Sequence, residues 1–181
     1  MAAIALIAVA VLALLVTVLL GALVEMYRDV RQMRDAMGIL DRPLPVQLGS
    51  VEGTSPSEFG LPPVLDSMTS AVVLFLSERC ATCHVLASGL PRPLPQGLWI
   101  VLEGRTPDSM QSFLERYALN AGPDAPVTVD ADGEIARRIG LQTTPVGFRI
   151  VDGVFTHATS VPSSRYLGSI LPEPIRLKRA V

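Results

Sequence analysis

The sequence has little of what several common kinds of functional site require. Of its 181 residues only two are cysteine, so all thiol chemistry depends on one pair, Cys80 and Cys83. The net charge is −2 and no block of Lys or Arg occurs, which argues against nucleic acid and against an acidic lipid surface as binding partners. Internal repeats are absent as well. The length leaves room for one domain and an appendage.

The amino-terminal stretch lacks charged residues altogether. From Ala2 to Val24 the chain is apolar, with Thr17 and Gly21 as its interruptions. A helix of this length reaches about 35 Å, which exceeds the roughly 30 Å of a hydrocarbon core. We therefore expect residues 1–24 to form one transmembrane helix in contact with membrane lipid. A cleaved signal peptide is the alternative, although the run is longer than a typical signal-peptide core and no basic segment precedes it.

Residues 25–40 are predicted to continue this helix as an amphipathic juxtamembrane segment. Its apolar positions recur at intervals of three and four residues. They form a narrow stripe, which consists of Met26, Val30, Met33, Met37 and Leu40. Methionine suits adaptable contact surfaces, so the stripe is a candidate contact with other membrane subunits; packing on the membrane or on the protein's own domain is the alternative. Residues 41–63 contain five prolines and are predicted to form an extended linker.

Residues 64–175 are predicted to form one α/β domain, with a tail at 176–181. Apolar, β-branched segments alternate with helical patterns. Strands are expected at 71–76, 98–102, 127–129, 146–151 and 154–158, and helices at 80–90, 106–119, 133–139 and 163–171. The pair Asp152-Gly153 indicates a type I′ turn between the last two strands. This order predicts a central mixed sheet flanked by helices.

The central motif of this domain is a dithiol at the start of a helix. A buried strand at 71–76 leads through three polar residues to Cys80, Ala81, Thr82 and Cys83. Unpaired N–H groups and the positive end of the helix dipole favour a thiolate at this point, so Cys80 is the predicted nucleophile. Cys83 follows one turn later, where it can resolve a mixed disulfide by closing an internal one. The expected reactive group is this redox-active disulfide, with no other cofactor.

Between residues 60 and 175 the chain resembles the thioredoxin superfamily. The resemblance rests on the strand that ends in Cys-x-x-Cys and on the later segment Gly140 to Pro145, which a hairpin and a final helix follow. In that family the Thr-Pro bond is cis and lies beside the active-site disulfide, where it meets the incoming peptide. The resemblance therefore implies that Thr144 and Pro145 bind the substrate.

Together with its anchor, the chain resembles more narrowly the membrane-anchored thioredoxin-like proteins of the methylamine-utilisation accessory type and their cytochrome-maturation relatives. This resemblance implies a thiol–disulfide oxidoreductase outside the cytoplasmic membrane. It would act on protein thiols and disulfides during the maturation of other proteins, with a membrane redox partner. The positive-inside rule argues for the opposite orientation, because Arg28, Arg31 and Arg34 follow the span.

Departures from the family pattern bear on the chemistry. Leu74 stands six residues before the first cysteine, where typical thioredoxins carry a buried acid, so the usual proton acceptor for the resolving thiol is missing. Ala81 and Thr82 occupy the dipeptide between the cysteines, which influences the reduction potential but does not indicate its direction here. Glu78 is expected to be solvated. His84 is expected to be an exposed or partly buried helix residue, whose charge modulates the thiols slightly or not at all.

Three other functions stay open at this point. Cys80 to His84 also matches Cys-x-x-Cys-His, the pattern for covalent haem c attachment, although a strand before the motif is untypical of a mostly helical cytochrome. A zinc site would need a fourth ligand besides Cys80, Cys83 and His84. The third is an assembly or structural subunit of a membrane complex, in which the anchor and the methionine stripe make the contacts.

Overall fold

The computed structural model describes residues 2–37, 43–47, 49–119 and 125–171. The side chains of residues 2–9 and 30–37 are outside this description. The chain divides into two units, Met1–Asp41 and Arg42–Val181. The tail predicted at 176–181 lies outside the described residues.

The first unit contains one helix, α1 (Ala2–Met37), which carries the apolar run. Its stretch Ala10–Asp29 has a mean hydropathy of 2.3, and none of these residues is buried. A helix of this length and composition is able to cross a membrane, and a signal sequence near the amino terminus has the same properties. Met26 is exposed. The remaining positions of the predicted stripe lie outside the described side chains: Val30, Met33, Met37 and Leu40.

The second unit is built on a six-stranded mixed sheet. The strands are β1 (Pro45–Val46), β2 (Ser70–Ser77), β3 (Leu98–Gly104), β4 (Val127–Ala131), β5 (Val146–Val151) and β6 (Val154–Ser160). Their order across the sheet is β1-β6-β5-β2-β3-β4. The central strand β2 pairs in parallel with β3 and antiparallel with β5. The five strands expected from the sequence are present, and β1 is an addition.

Among the described residues, four helices cover the two faces of this sheet. They are α2 (Ala81–Ser88), α3 (Pro107–Arg116), α4 (Glu134–Ile139) and α5 (Ser164–Ile170). Neighbouring residues of β2 point to opposite faces. Leu74 therefore joins one apolar cluster with α2, α3 and α5, whereas Phe75 joins a second cluster with α4. This is the thioredoxin-like fold that the sequence predicted.

Residues 43–47 and 49–63 belong to the domain and do not form the extended linker that the sequence predicted for 41–63. β1 pairs with β6, and short 3₁₀ helices follow at Gly49–Val51 and Pro56–Phe59. The side chains of Val51 and Leu61 are 3% and 2% exposed. Pro56 begins one of these short helices. Burial of the apolar side chains between the prolines stabilises the packing of this segment against the domain.

The β5–β6 hairpin has the turn that its sequence predicts. Asp152 and Gly153 have φ angles of 49° and 77°, and two positive values in succession fit a type I′ turn. The turn packs closely against the segment that precedes β2. A Cβ atom on Gly153 would lie 1.9 Å from the carbonyl oxygen of Asp66 in that segment. Only glycine fits at this position.

Candidate active site

Cys80 lies where the end of β2 meets the start of α2. It is the N-cap residue of α2, with an extended backbone at φ −92° and ψ 113°. Its Sγ accepts a hydrogen bond from the backbone N–H of Cys83 over 3.3 Å. The same N–H and the positive end of the helix dipole would stabilise a negative charge on this sulfur. The side chain is half-buried, so a second molecule can reach it.

Cys83 lies one turn further along α2 and is completely enclosed, with 0% of its surface exposed. Its Sγ accepts a hydrogen bond from the N–H of Ser77 over 3.4 Å. Burial raises the pKa of the Cys83 thiol to about 12, and its hydrogen bond with Cys80 acts in the same direction, whereas the Ser77 N–H acts against them. The two cysteines are therefore unequal, since one is accessible and the other is buried and protonated.

A cis-proline turn closes the site from the other side. The peptide bond between Thr144 and Pro145 is cis. The thiol of Cys80 donates to the carbonyl oxygen of Thr144 over 3.4 Å, although the two residues are 64 positions apart in the sequence. Pro145 is buried, and its own carbonyl oxygen accepts from the N–H of Val161 over 3.0 Å. The fold thus brings together Cys80 and Thr144, as the resemblance implied.

A groove of about 350 Å³ opens beside Cys80. Its lining is mostly polar and includes Arg79, Glu103, Leu141, Gln142, Thr143 and Thr144. Nη2 of Arg79 lies 3.7 Å from Oε1 of Glu103, and the two side chains are 56% and 26% exposed. At that exposure the ion pair is weak, so both charges stay available to a bound segment.

Sequence reasoning missed Glu103 and Arg79 as residues of this groove. A signal was present, because β2 and β3 are adjacent parallel strands and their carboxyl ends meet at one edge of the sheet. Glu103 and Ser77 are partners in that register. A charged residue directly after an apolar strand was therefore a candidate neighbour of the cysteines.

The position that holds an acid in typical thioredoxins is apolar in this fold. Leu74 is completely buried, in the same apolar cluster as Cys83. No carboxylate at this position can accept the proton of Cys83. Ala81 and Thr82 form the exposed first turn of α2, between the two thiols.

Glu78 is not the solvated residue that the sequence predicted. Its Oε1 accepts a hydrogen bond from the N–H of Arg105 over 3.0 Å, and its own N–H donates to the carbonyl oxygen of Glu103 over 3.1 Å. Oε2 is buried and has no hydrogen-bond partner among the described residues. Gly104 provides the space, since a Cβ atom there would lie 2.8 Å from Oε2. Glu78 therefore fastens the loop before Cys80 to the end of β3.

His84 is partly buried, and both nitrogens of its ring have partners. Nε2 lies 2.7 Å from the carbonyl oxygen of Glu78, and Nδ1 lies 2.8 Å from the hydroxyl of Tyr117. A carbonyl only accepts, so Nε2 carries a proton. Within the part of the chain that the structure describes, neither thiol is a partner of this ring.

These contacts favour the dithiol over the two metal-binding alternatives. Axial ligation of haem needs a free nitrogen of His84, whereas Nε2 donates to Glu78. Covalent attachment also needs both sulfurs at the surface, and Cys83 is enclosed. In the described ranges, no group of three or more His, Cys, Asp and Glu side chains is arranged to hold a metal ion.

No protein-family model and no curated protein matches the chain. Among solved structures, it is similar to a secreted Mycobacterium tuberculosis disulfide oxidoreductase homologous to E. coli DsbE, with 25% identity over 53% of this chain and 72% of that chain and a TM-score of 0.41. It is similar to StoA from Bacillus subtilis, with 15% identity, coverages of 55% and 79% and a TM-score of 0.41. It is also similar to a thiol-disulfide isomerase from Corynebacterium glutamicum, with 18% identity, coverages of 74% and 99% and a TM-score of 0.43.

Proposed function

We propose that the protein is a thiol–disulfide oxidoreductase that works through Cys80 and Cys83. The position of the Cys80 sulfur is the observation that carries this proposal. It lies 3.3 Å from the N–H of Cys83 and 3.4 Å from the carbonyl oxygen of Thr144, beside the polar groove. An accessible sulfur between a donor that stabilises a thiolate and a cis-proline turn suits an extended segment that carries a cysteine. Thr144 and Pro145 are the proposed substrate-binding residues.

The reductive reaction has two exchange steps. The Cys80 thiolate attacks one sulfur of the substrate disulfide, which forms the mixed disulfide and releases the other substrate sulfur as a thiolate. Cys83 then loses its proton and attacks the Cys80 sulfur. The internal disulfide forms, and the first substrate sulfur leaves as a thiolate. Two electrons pass from the dithiol to the substrate.

The reverse sequence oxidises a substrate dithiol. Repeated reduction needs a membrane redox partner that returns two electrons to the Cys80–Cys83 disulfide, and repeated oxidation needs a partner that accepts two. In the reductive direction the second step requires Cys83 to lose its proton, although burial raises the pKa of this thiol to about 12 and Leu74 offers no proton acceptor.

We also propose that α1 anchors the domain to the membrane and that the domain acts outside the cytoplasm, on proteins that are being matured. The length and hydropathy of Ala10–Asp29 support the anchor. The arginines that follow the span argue for the opposite orientation. A membrane-impermeant maleimide distinguishes the two, because it labels Cys80 in intact cells only if the domain is outside.

The dithiol mechanism is tested by trapping. The Cys83→Ser variant should accumulate a covalent complex with its protein substrate that a reducing gel dissolves. The Cys80→Ser variant should form no such complex and should not turn over. Normal turnover by Cys83→Ser would overturn the mechanism.

The assembly-subunit function keeps one observation in its favour. Every described side chain of Ala10–Asp29 is exposed, so this apolar surface is open to a partner helix as well as to lipid. If this function is the correct one, the Cys80→Ser variant should support the complex as well as the wild type does. Removal of α1 alone should then abolish assembly of the complex.

A further inference from the structure

His84 is held at both ring nitrogens, which is unusual for a residue of a short surface helix. Nε2 donates to the carbonyl oxygen of Glu78 over 2.7 Å, and Nδ1 lies 2.8 Å from the hydroxyl of Tyr117. In the neutral ring Nδ1 therefore accepts from that hydroxyl. The ring also packs on Phe113 and Tyr117, with centroid distances of 4.9 Å and 5.6 Å. Two directional bonds and two ring contacts fix its orientation.

The Glu78 carbonyl belongs to the loop that delivers Cys80 to α2. Two side chains of α2 make contacts here: Cys83 accepts from the N–H of Ser77, the last residue of β2, and His84 donates to the carbonyl of Glu78 in the loop. The first contact involves a sulfur that changes its bonding when the disulfide forms. The second involves no sulfur, so it can persist in the dithiol and in the disulfide state.

Tyr117, which ends α3, fastens α2 at a second point. Its carbonyl oxygen accepts a hydrogen bond from Nη2 of Arg92. The same nitrogen donates to the carbonyl oxygen of Ala87 over 3.2 Å, and Nη1 donates to that of Leu90 over 2.9 Å. Tyr117 thus holds the start of α2 through His84 and its end through Arg92.

We propose that His84 is a positioning residue of the dithiol, which fixes the loop before Cys80 to α2 and α3 and so holds the Cys80 sulfur against the first N–H groups of α2 in both redox states. This inference rests on the proposed function and adds a residue that touches neither sulfur nor substrate. Without the His84 hydrogen bond, Glu78 still holds the loop to the end of β3, but the loop loses its attachment to α2. The Cys80 sulfur can then move away from its donor, the N–H of Cys83, which lies at 3.3 Å.

The test is the alkylation of Cys80 by iodoacetamide in the reduced full-length protein, measured against pH by mass spectrometry. His84→Phe keeps an aromatic ring for the packing and removes both hydrogen bonds. We expect alkylation at pH 7 to slow by roughly three- to tenfold, the range that one net hydrogen bond spans, and the midpoint of the pH profile to rise. His84→Gln restores a donor for the Glu78 carbonyl and should return the rate to within about twofold of the wild type.

Two further variants keep the test decisive. Tyr117→Phe removes the hydroxyl and retains the ring, and should give a smaller shift in the same direction. His157→Phe is the matched control, because it changes the other histidine, which is exposed on β6. If His84→Phe does not fold, Tyr117→Phe decides the outcome.

The inference is overturned if the folded variants melt at lower temperature but alkylate with the wild-type rate and pH profile, since His84 would then be structural only. Failure of the proposed function is distinguishable from this result. If the wild-type protein never exchanges disulfides, the proposed function is wrong. The alkylation profile of Cys80 needs no redox partner, so it would still test the role of His84.

Discussion

The N–H of Ser77 donates a hydrogen bond to Sγ of Cys83 over 3.4 Å, from the last residue of β2 to the first turn of α2. This backbone hydrogen bond lowers the pKa of the Cys83 thiol, but burial raises it by more. The balance leaves the resolving thiol protonated at physiological pH. In the proposed mechanism, Cys83 must therefore lose its proton before it attacks the mixed disulfide.

Resolution of a mixed disulfide should accelerate with pH. With Cys80 linked to thionitrobenzoate, attack by Cys83 releases the coloured thiolate, and its rate follows the thiolate fraction of Cys83. We expect the rate to rise about tenfold per pH unit between pH 6 and 9, because the pKa of about 12 lies far above this range. Absorbance after rapid mixing measures it, and Cys83→Ser should release nothing by this route. A flat profile would contradict the assignment.

Reduced protein should lose stability at alkaline pH because of Cys83. Its pKa is raised from 9.0 to about 12 in the folded state, so between these values the unfolded chain gives up a proton that the native state retains. The free energy of unfolding then falls as pH rises, by up to about 1.4 kcal/mol per unit. Urea denaturation of wild type and Cys83→Ser at pH 8 and 10.5 measures the difference. Equal slopes for the two proteins would refute it.

Substrate charge should matter through Glu103. Replacement by Gln leaves Arg79 as the remaining charge of that pair, so the groove becomes more positive. We expect kcat/KM to fall for disulfide peptides with Lys beside the cysteine and to rise for those with Glu, by about threefold each at low salt. High salt should abolish both effects. Glu115→Gln on α3 is the control with the same charge change, and an identical response from it would show a nonspecific effect.

Gly104→Ala should destabilise the domain. The new Cβ atom would lie 2.2 Å from Cγ of Met110 and 2.8 Å from Oε2 of Glu78, and Met110 is buried. Overpacking of this kind costs about 1–3 kcal/mol, which urea denaturation resolves. Gly168→Ala in α5 is the matched control, because nothing lies within 4 Å of its Cβ position. There we expect a gain of roughly 0.5–1 kcal/mol.

The sequence predicted the fold correctly where local signals agreed with one another. The apolar run of β2, the Asp152-Gly153 turn and Gly140 at the end of α4 are each readable within a few residues, and all three appear as expected. The pairing of Cys80 with the Thr144 turn was accessible only through the family resemblance. Nothing local predicts a contact over 64 positions.

The rest depended on tertiary contacts that composition does not reveal. Glu78 looks like an ordinary loop residue, but Gly104 leaves room for its carboxylate at the end of β3. Residues 43–63 have the prolines of a linker, yet Val51 and Leu61 are buried in the core. In both cases contacts with residues distant in sequence bury a segment that its local sequence predicts to be exposed.

The placement of β2 between β3 and β5 has a consequence for the newly synthesised chain. Ser70 pairs with Val151, and Cys83 shares its apolar cluster with Leu167 of α5, so the enclosure of this thiol needs nearly the whole domain. Such distant pairings form late in folding. Until the domain has folded, Cys83 is as accessible as Cys80, and an oxidant met at that stage can couple either one to a foreign thiol. The enclosure that distinguishes Cys83 from Cys80 is complete only when α5 has packed against this cluster.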